Sequence, residues 1–469
     1  MKKIIIAGVL ITITVLAVSN MLWERTRETP TPYITDCAAT YYIDAGSGKD
    51  TNDGLSPNNA WQSINKINSI TLDAGDRVFF KRGERWSETL IIQNSGTETL
   101  PIVFGAYGVG PQPLISAEYI DSPGFSLMLK NTHHVVIEDM HFADAVYACV
   151  LIFDDSTNVT IRKNTVTGCG PEAFHSGICI WGGSNNTITL NNVTSCADGI
   201  AITGYDGKHN KNNVISHNTI TDIDGAGINL NQDPKENIIE HNLIHHACLT
   251  VDDRAGIYTH EAGPENIIRY NTLHSSGTNT TRCAGINIDY FTGPSQIYYN
   301  TIHNNSAGGI AIASSNHKVY NNVMFHNNEY DYDVGEIIMY VAGASIPKNN
   351  TVKNNILAAS KGRHLILING VCTQNHRIDF NMYYPGNESI FEWNYVPCNL
   401  TSWSKISTHD KNSLAANPGF IDESSGDFRV DNTSLCIDSG TDAGLDRDLF
   451  GNTVPYGIAP DIGIFESCQ

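Results

Sequence analysis

The sequence predicts an all-β fold, a single-stranded parallel β-helix built as a solenoid with one coil per sequence repeat. Three observations lead there. An Asn stands two residues before an apolar side chain at Asn164, Asn191, Asn218, Asn242, Asn271, Asn300, Asn321, Asn354 and Asn381, at intervals of 21 to 33 residues. A Gly-Ile pair followed by alternating residues recurs at Gly177, Gly199, Gly227, Gly256, Gly285 and Gly309. The apolar runs between these marks, such as Asn266–Tyr270 and Val319–Val323, are β-branched and too short for a globular helix. Two patterns sharing one slightly irregular period mark stacked coils.

Each element follows from that period. A single coil cannot bury its own apolar face, so neighbours stack, with parallel strands about 4.8 Å apart. Inward positions become columns of Ile, Val and Leu. The recurring Asn, at a turn, bonds to the coils above and below as a ladder. The recurring Gly suits a tight bend with close backbone approach. Leucine-rich repeats need a Leu-rich consensus that is missing here. A β-sandwich would not carry nine copies of one turn pattern.

Composition narrows the partners. The chain has 469 residues, with 29 basic against 49 acidic side chains and a net charge of −20. That balance disfavours a nucleic acid as ligand and makes a strongly anionic polysaccharide less natural, unless local Arg or Ca²⁺ reverses it. Seventeen His and twenty Tyr suit a sugar-binding surface and a solenoid face alike. Eleven Cys include no C-x-x-C, which disfavours zinc. Cys169 and Cys196 stand five residues past a repeat Asn, stacked either as a disulfide or as buried thiols. Cys372 with Cys398, and Cys436 with Cys468, are plausible pairs in an exported protein.

Along the chain, residues 1–23 read as a signal peptide or membrane anchor, with Met-Lys-Lys ahead of an apolar run. Residues 24–36 form a Pro-containing linker. Residues 37–120 form an N-terminal cap and the first coils, with a first strand at Tyr41, a short helix around Trp61–Ile67, and Trp61, Trp86 and Tyr107 as cap core. Residues 121–384 are the central solenoid. Residues 385–469 hold C-terminal coils and a tail, with an aperiodic loop or subdomain at Pro385–Lys411. The N-terminal run Tyr41–Asp50 and Ala74–Gly83, the Asn turns, and the C-terminal Asn417–Phe420, Ser434–Gly440 and Asp461–Glu466 resemble secreted bacterial right-handed parallel β-helix proteins of the pectate-lyase-like superfamily. The resemblance spans nearly all of Tyr41–Glu466. It implies a right-handed helix and activity on carbohydrate, while the N-terminal segment implies a secreted, periplasmic or cell-surface location. Its motifs mark the scaffold, not the reaction.

Counting from each Gly-Ile registers the outward columns. Three before the Gly stand Phe174, Cys196, Asp224, Asp253, Arg282 and Ser306. Two after it stand Cys179, Ala201, Asn229, Tyr258, Asn287 and Ala311. Four after it stand Trp181, Thr203, Asn231, His260, Asp289 and Ala313. The middle coils, with Gln232, Asp252, Glu261 and Tyr290 added, are polar, acidic and aromatic where their neighbours are small. A saccharide groove needs such a central cluster.

Three chemistries remain open. Asp224 and Asp253, stacked about 5 Å apart, would suit retaining glycoside hydrolysis, and either against Asp289 a wider, inverting geometry. Asp253 is favoured as one catalytic carboxylate, with Asp224, Asp289 and Glu261 competing to be its partner. Trp181, Asn229, Asn231, Asp252, Tyr258, His260, Arg282, Asn287 and Tyr290 would bind or orient a polysaccharide or oligosaccharide. This hydrolase reading requires no cofactor and no metal. The second chemistry is β-elimination or C5 epimerisation of a uronate, with Arg254, Arg282, His260 or Tyr258 acting and Ca²⁺ held by the aspartates. Asp438–Asp448 is a turn-rich stretch with a weaker Ca²⁺ signal. The third is a non-catalytic binding solenoid. The protein is expected to act as a monomer, touching a membrane only through an N-terminal anchor.

Overall fold

Three sheets of thirteen short strands each make up the computed structural model, and each complete coil gives one strand to each sheet. The structure describes residues 38–117, 124–170, 175–204, 207–208, 210–330, 332–360, 362–385 and 391–467. The signal or anchor segment, the linker, Phe174 and Cys468 lie outside them. In one central coil Ile238–Glu240 lies in the first sheet, Leu243–His245 in the second and Arg254–His260 in the third. Register along the third sheet runs Ile200, Ile228, Ile257, Ile286, Ile310, Ile337, all parallel. These isoleucines are wholly buried, each contributing about 2 kcal/mol of apolar burial. The fold is the predicted parallel β-solenoid.

The Asn ladder forms between the first and second sheets. Asn242 accepts the Asn218 N–H at 3.0 Å and gives its own N–H to Asn271 at 3.0 Å, while its Nδ2 reaches Ile215 O at 2.9 Å. The ladder passes through Asn322 and Asn355, not through Asn321 and Asn354 as the sequence pattern suggests. The reason is conformational. The residue before each ladder Asn is left-handed: Lys163, Leu190, His217, His241, Tyr270, Tyr299 and Phe380 have φ between 54° and 59°. Asn tolerates that region better than other L-residues, so Asn321 and Asn354 occupy this slot. A second ladder, absent from the sequence reading, joins Asn186, Asn213, Asn237 and Asn266 at the turn into the first sheet.

The Gly-Ile glycines are needed for proximity, not for a positive φ. A Cβ on Gly199 would stand 2.4 Å from Gly227 O, and one on Gly227 would stand 2.6 Å from Gly256 O.

Both ends are closed. At the N-terminus the helix Ile64–Asn68 is capped by Ser63, whose Oγ accepts Lys66 N–H at 3.1 Å. Trp61 stacks on Tyr41 at 4.8 Å and Trp86 meets Phe80 edge-on at 5.2 Å, so the tryptophans are cap core. At the other end the aperiodic stretch is itself a cap. Phe391–Trp393 joins the third sheet and turns back antiparallel through Val396–Cys398. The helix Leu400–Ser407 then buries Trp403 against Phe391 at 5.3 Å, with Trp403 Nε1 on Asp410 at 2.7 Å. From Phe420 onward the chain packs on the second sheet's outer face. Asn321 Nδ2 donates to Asp461 O and Gly463 O, and Asn354 Nδ2 to Thr441 O.

Cys169 and Cys196 are indeed register partners, but Cys169 is bonded to Cys149, on the third-sheet strand Ala148–Phe153 of the preceding coil, and Cys196 is a buried thiol. A second disulfide joins Cys248 and Cys283. Cys372 and Cys398 are free thiols, not the expected pair, and Cys436 is free and buried. In the turn-rich tail, Asp438 and Asp448 spend their carboxylates on backbone N–H groups, among them those of Ile458, Ala459, Phe450 and Asn452.

Candidate functional site

The outward face of the third sheet carries the site, because strand alternation turns every second residue away from the isoleucine core. The strands Ile228–Asn231, Arg254–His260 and Cys283–Ile288 present Asn229, Tyr258 and Asn287 in one register column. Asn231 and His260 lie in the next, beside Asp289. A cleft of about 430 Å³ opens there, lined by Thr203, Asn229, Asn231, Gln232, Arg254, Tyr258, His260 and Glu261. Two larger clefts, of about 540 and 600 Å³, lie at turns elsewhere on the molecule. Neither contains any of the central acid and aromatic residues.

Asp289 is the hub. Its Oδ2 accepts from Tyr258 Oη at 2.5 Å and lies 3.4 Å from His260 Nδ1. Its Oδ1 accepts from Tyr340 Oη at 3.2 Å and from Tyr290 N–H at 2.8 Å. Tyr290 stands edge-on to the His260 ring at 4.3 Å. Burial first, then the bond to Asp289, pushes the Tyr258 phenol well above its ordinary range. Burial and the Asp289 charge do the same to Tyr340. Both phenols therefore act as donors, not as bases, at any ordinary pH. Asp253 adds a smaller upward push on both, so Asp289 and Asp253 share the neighbourhood of the same two tyrosines.

Tyr340 was hidden from the sequence reading. Its coil reads Gly335-Glu336-Ile337, not Gly-Ile, which ended the column count one coil early. Ile312 pairs with Met339, so Tyr340 follows Ala313 in the Asp289 column. The small Ala313 lets the phenol reach back over it. Tyr258 and Tyr340 pack on Ala226, Ala255, Ala284 and Ala311, a thin apolar floor outside the core.

Asp198 was also missed. It is 3 % exposed, with Oδ2 2.8 Å from Asn229 Nδ2 and Oδ1 accepting Ala226 N–H at 2.8 Å. Burial raises its pKa against the pull of those donors and of Arg254 and His175. Its signal was available: the position one before each Gly-Ile reads Ser176, Asp198, Ala226, Ala255, Ala284 and Gly308, one acid among small residues.

The remaining candidates are placed differently. Asp224 and Asp253 do not meet as a stacked pair. Asp224 O accepts the N–H groups of Thr250 and Val251 at 3.2 and 2.9 Å, and Cys248 N–H takes the Gly225 carbonyl at 2.8 Å. The coil bulges between Leu249 and Asp252, so counting back from Gly256 slips out of register. Asp252 and Arg282 are engaged with each other, Arg282 Nη2 to Oδ2 at 3.0 Å and Arg282 N–H to Oδ1 at 2.6 Å. Those bonds overcome the effect of burial and hold the Asp252 carboxyl below its usual pKa. The Asp253 side chain is 74 % exposed, with Oδ1 3.9 Å from Arg282 Nη2, and is not among the residues that line the cleft. Trp181 is two coils from Asn231 in the same column, its Nε1 on Gly204 O at 3.2 Å. Asn287 is buried, its Oδ1 accepting from Tyr340 Oη at 3.1 Å. Among the described residues, no group of three or more His, Cys, Asp or Glu is placed to hold a metal ion.

This scaffold and its face define a class. The chain belongs to the right-handed β-helix family, whose model, described as "Right handed beta helix region", matches residues 103–210 and 176–357, together more than half of the chain. Over 89 residues, 18 % of this chain and 6 % of the relative, it is 33 % identical to a lacto-N-biosidase of Bifidobacterium longum subsp. longum. Over 121 residues, 25 % of each, it is 27 % identical to the uncharacterized protein YwoF of Bacillus subtilis. The matched stretches thus span a quarter or less of these relatives. In fold, the chain is similar to the pectate lyase Pel9A, with a TM-score of 0.53 at 15 % identity over 91 % of this chain and 96 % of that one. It is also similar to XylC in complex with xylose, with a TM-score of 0.55 at 11 % identity over 92 % and 98 %.

Proposed function

We propose that the protein is a glycoside hydrolase that binds a saccharide chain across the third-sheet cleft and cleaves it with paired carboxylates. The observation that carries this is Asp289, held as an acceptor by two tyrosine hydroxyls and a backbone N–H, with His260 beside it. A carboxylate fixed in this way has one orientation toward a substrate, as a base or nucleophile requires. Asp253, whose charge reaches the same two tyrosines, is the partner carboxylate of the pair. Tyr258 and Tyr340 orient Asp289, and Tyr290 and His260 offer faces and edges to sugar rings. The glycosidase name of the Bifidobacterium relative supports the same reading.

Eliminative cleavage of a uronate chain is the second reading, favoured by Arg254 in the cleft wall, 5.0 Å above the Tyr258 ring. It is weakened by the raised Tyr258 phenol, which makes a poor base. Incubation of the protein with a panel of neutral and uronic polysaccharides separates the two. New reducing ends without the ultraviolet absorbance of an unsaturated uronate, abolished by Asp289→Asn, are the expected result. Rising absorbance would overturn the hydrolase reading in favour of elimination.

A further inference from the structure

Two acceptors in the cleft are left without donors. Asn229 is 3 % exposed, and its Oδ1 has no hydrogen-bond partner among the described residues. The buried Oδ1 of Asn231, two residues further along the same outward face, is in the same state. Both residues line the cleft. Leaving a buried carbonyl oxygen unpaired costs stability, and buried polar groups are nearly always paired. A pair of exceptions side by side, in a cleft that Tyr258, His260 and Glu261 also line, points to a ligand that supplies the missing donors.

The Asn229 amide is set from behind. Its Nδ2 donates to Asp198 Oδ2 at 2.8 Å, and the other Asp198 oxygen is tied to Ala226 N–H at 2.8 Å. With one Nδ2 hydrogen held by that carboxylate, the amide is fixed in the flip that leaves its oxygen as the unpaired acceptor.

We infer that Asn229 and Asn231, with Asp198 as a positioning residue behind them, form a subsite that accepts hydrogen bonds from a neutral sugar unit, through its hydroxyl or amide N–H groups. The inference rests on the carbohydrate reading above and names the class of sugar that occupies this part of the cleft. A uronate carboxylate is disfavoured at the two amide oxygens, to which it brings only acceptors, with Glu261 in the same lining. Arg254, on the same wall, does not reverse this: it lies over the Tyr258 ring and within electrostatic reach of Asp198.

The test is saturation-transfer NMR of the protein with xylose, galactose, N-acetylglucosamine and galacturonate, repeated on Asn231→Leu and Asp198→Asn. Asn231→Leu removes an unpaired oxygen at similar volume, so its melting temperature is expected to hold or rise. Asp198→Asn frees the Asn229 amide to turn over. At least one neutral sugar is expected to bind the wild-type protein and to bind Asn231→Leu about tenfold more weakly, as for the loss of one hydrogen bond. Asp198→Asn is expected to weaken the same sugar, and galacturonate not to compete. Equal binding of a neutral sugar by all three proteins, or preference for galacturonate, would overturn the subsite while leaving the carbohydrate reading in place. Absence of binding by any of the four sugars would also overturn it. If the polysaccharide panel then yielded no product either, the carbohydrate reading would fall with it.

Discussion

The second and third sheets come from the same coils yet present opposite surfaces. On the second sheet the outward residues Val323, Phe325, Ile356 and Met382 are buried beneath the C-terminal segment, with Phe428, Val430, Ile462 and Ile464 packed against them. On the third sheet the outward residues Asn229, Tyr258, Asn287 and Asp289 rest on a floor of alanines and on one another. The backbone ladders are alike, so the difference is made entirely by what covers each face. A covered face uses its outward side chains for stability. The third-sheet face keeps polar groups in costly arrangements, including amide oxygens unpaired among the described residues, which packing alone would not retain.

The sharpest way to break this contrast is to remove the hub of the open face. Asp289→Ala is expected to lower kcat by about a thousandfold or more, as for a lost catalytic carboxylate, with about 1–3 kcal/mol of stability lost because the Tyr258 hydroxyl is left without its acceptor. Loss of activity together with unfolding would instead make Asp289 a structural residue. On the scaffold side, Asn271→Ala removes bonds from its Nδ2 to Ile239 O and Asn300 and orphans the Asn242 N–H. The expected loss is about 3 kcal/mol in urea unfolding. Asn354→Ala breaks the tail's attachment at Thr441, where the side chain both donates and accepts. About 2 kcal/mol should be lost, and the tail should become sensitive to protease while hydrolysis continues, which would show the two faces to be independent. Tyr340→Phe deletes one donor to Asp289 and should reduce kcat about tenfold with KM nearly unchanged.

The smallest effects are in the pH dependence of melting, where the two faces have opposite signs. His245, His274 and His303 stack at 5.2 and 4.9 Å on the second sheet. Burial and neighbouring imidazoles lower His274 and His303 to about 4. The unfolded chain then binds more protons than the folded one below the usual His range, so this contribution is lost as pH falls from about 6.5 toward 4. His274→Phe should flatten that limb. Glu336, in the third-sheet strand Gly335–Met339 and buried against Asn327, is pushed up to about 8 by burial. Here the folded state holds the extra proton, so stability is lost as pH rises from about 4.5 toward 8. Glu336→Gln should flatten that limb. Scans of melting temperature against pH for both variants check the signs.

Much of this was legible in the sequence, and the residues show why. The solenoid, its columns and the capping tryptophans depend on periodic, local choices: one Asn per turn, one close-packed Gly per strand, Ile alternating with polar residues. Register carried Asn229, Tyr258 and Asn287 into one column and His260 beside Asp289, as counting from Gly-Ile predicts. Counting failed wherever a coil changed length or a pattern had two physical meanings. The bulge at Leu249–Asp252 separated Asp224 from Asp253. In Asn321-Asn322 and Asn354-Asn355, Asn suits both the left-handed slot and the ladder, and only the neighbouring coils show which is which. Cys169 faced two possible partners, Cys149 on the third-sheet strand that precedes its coil and Cys196 along the stack. Tyr340 reaches Asp289 across a different coil, and the tail returns to the second sheet from more than a hundred residues away. The sequence by itself thus determined the coil and the alternation of its faces, because hydrogen-bond ladders and apolar burial repeat with the chain. Only the tertiary structure decided which face is covered and which side chains converge on Asp289, because those contacts join positions that no local period relates.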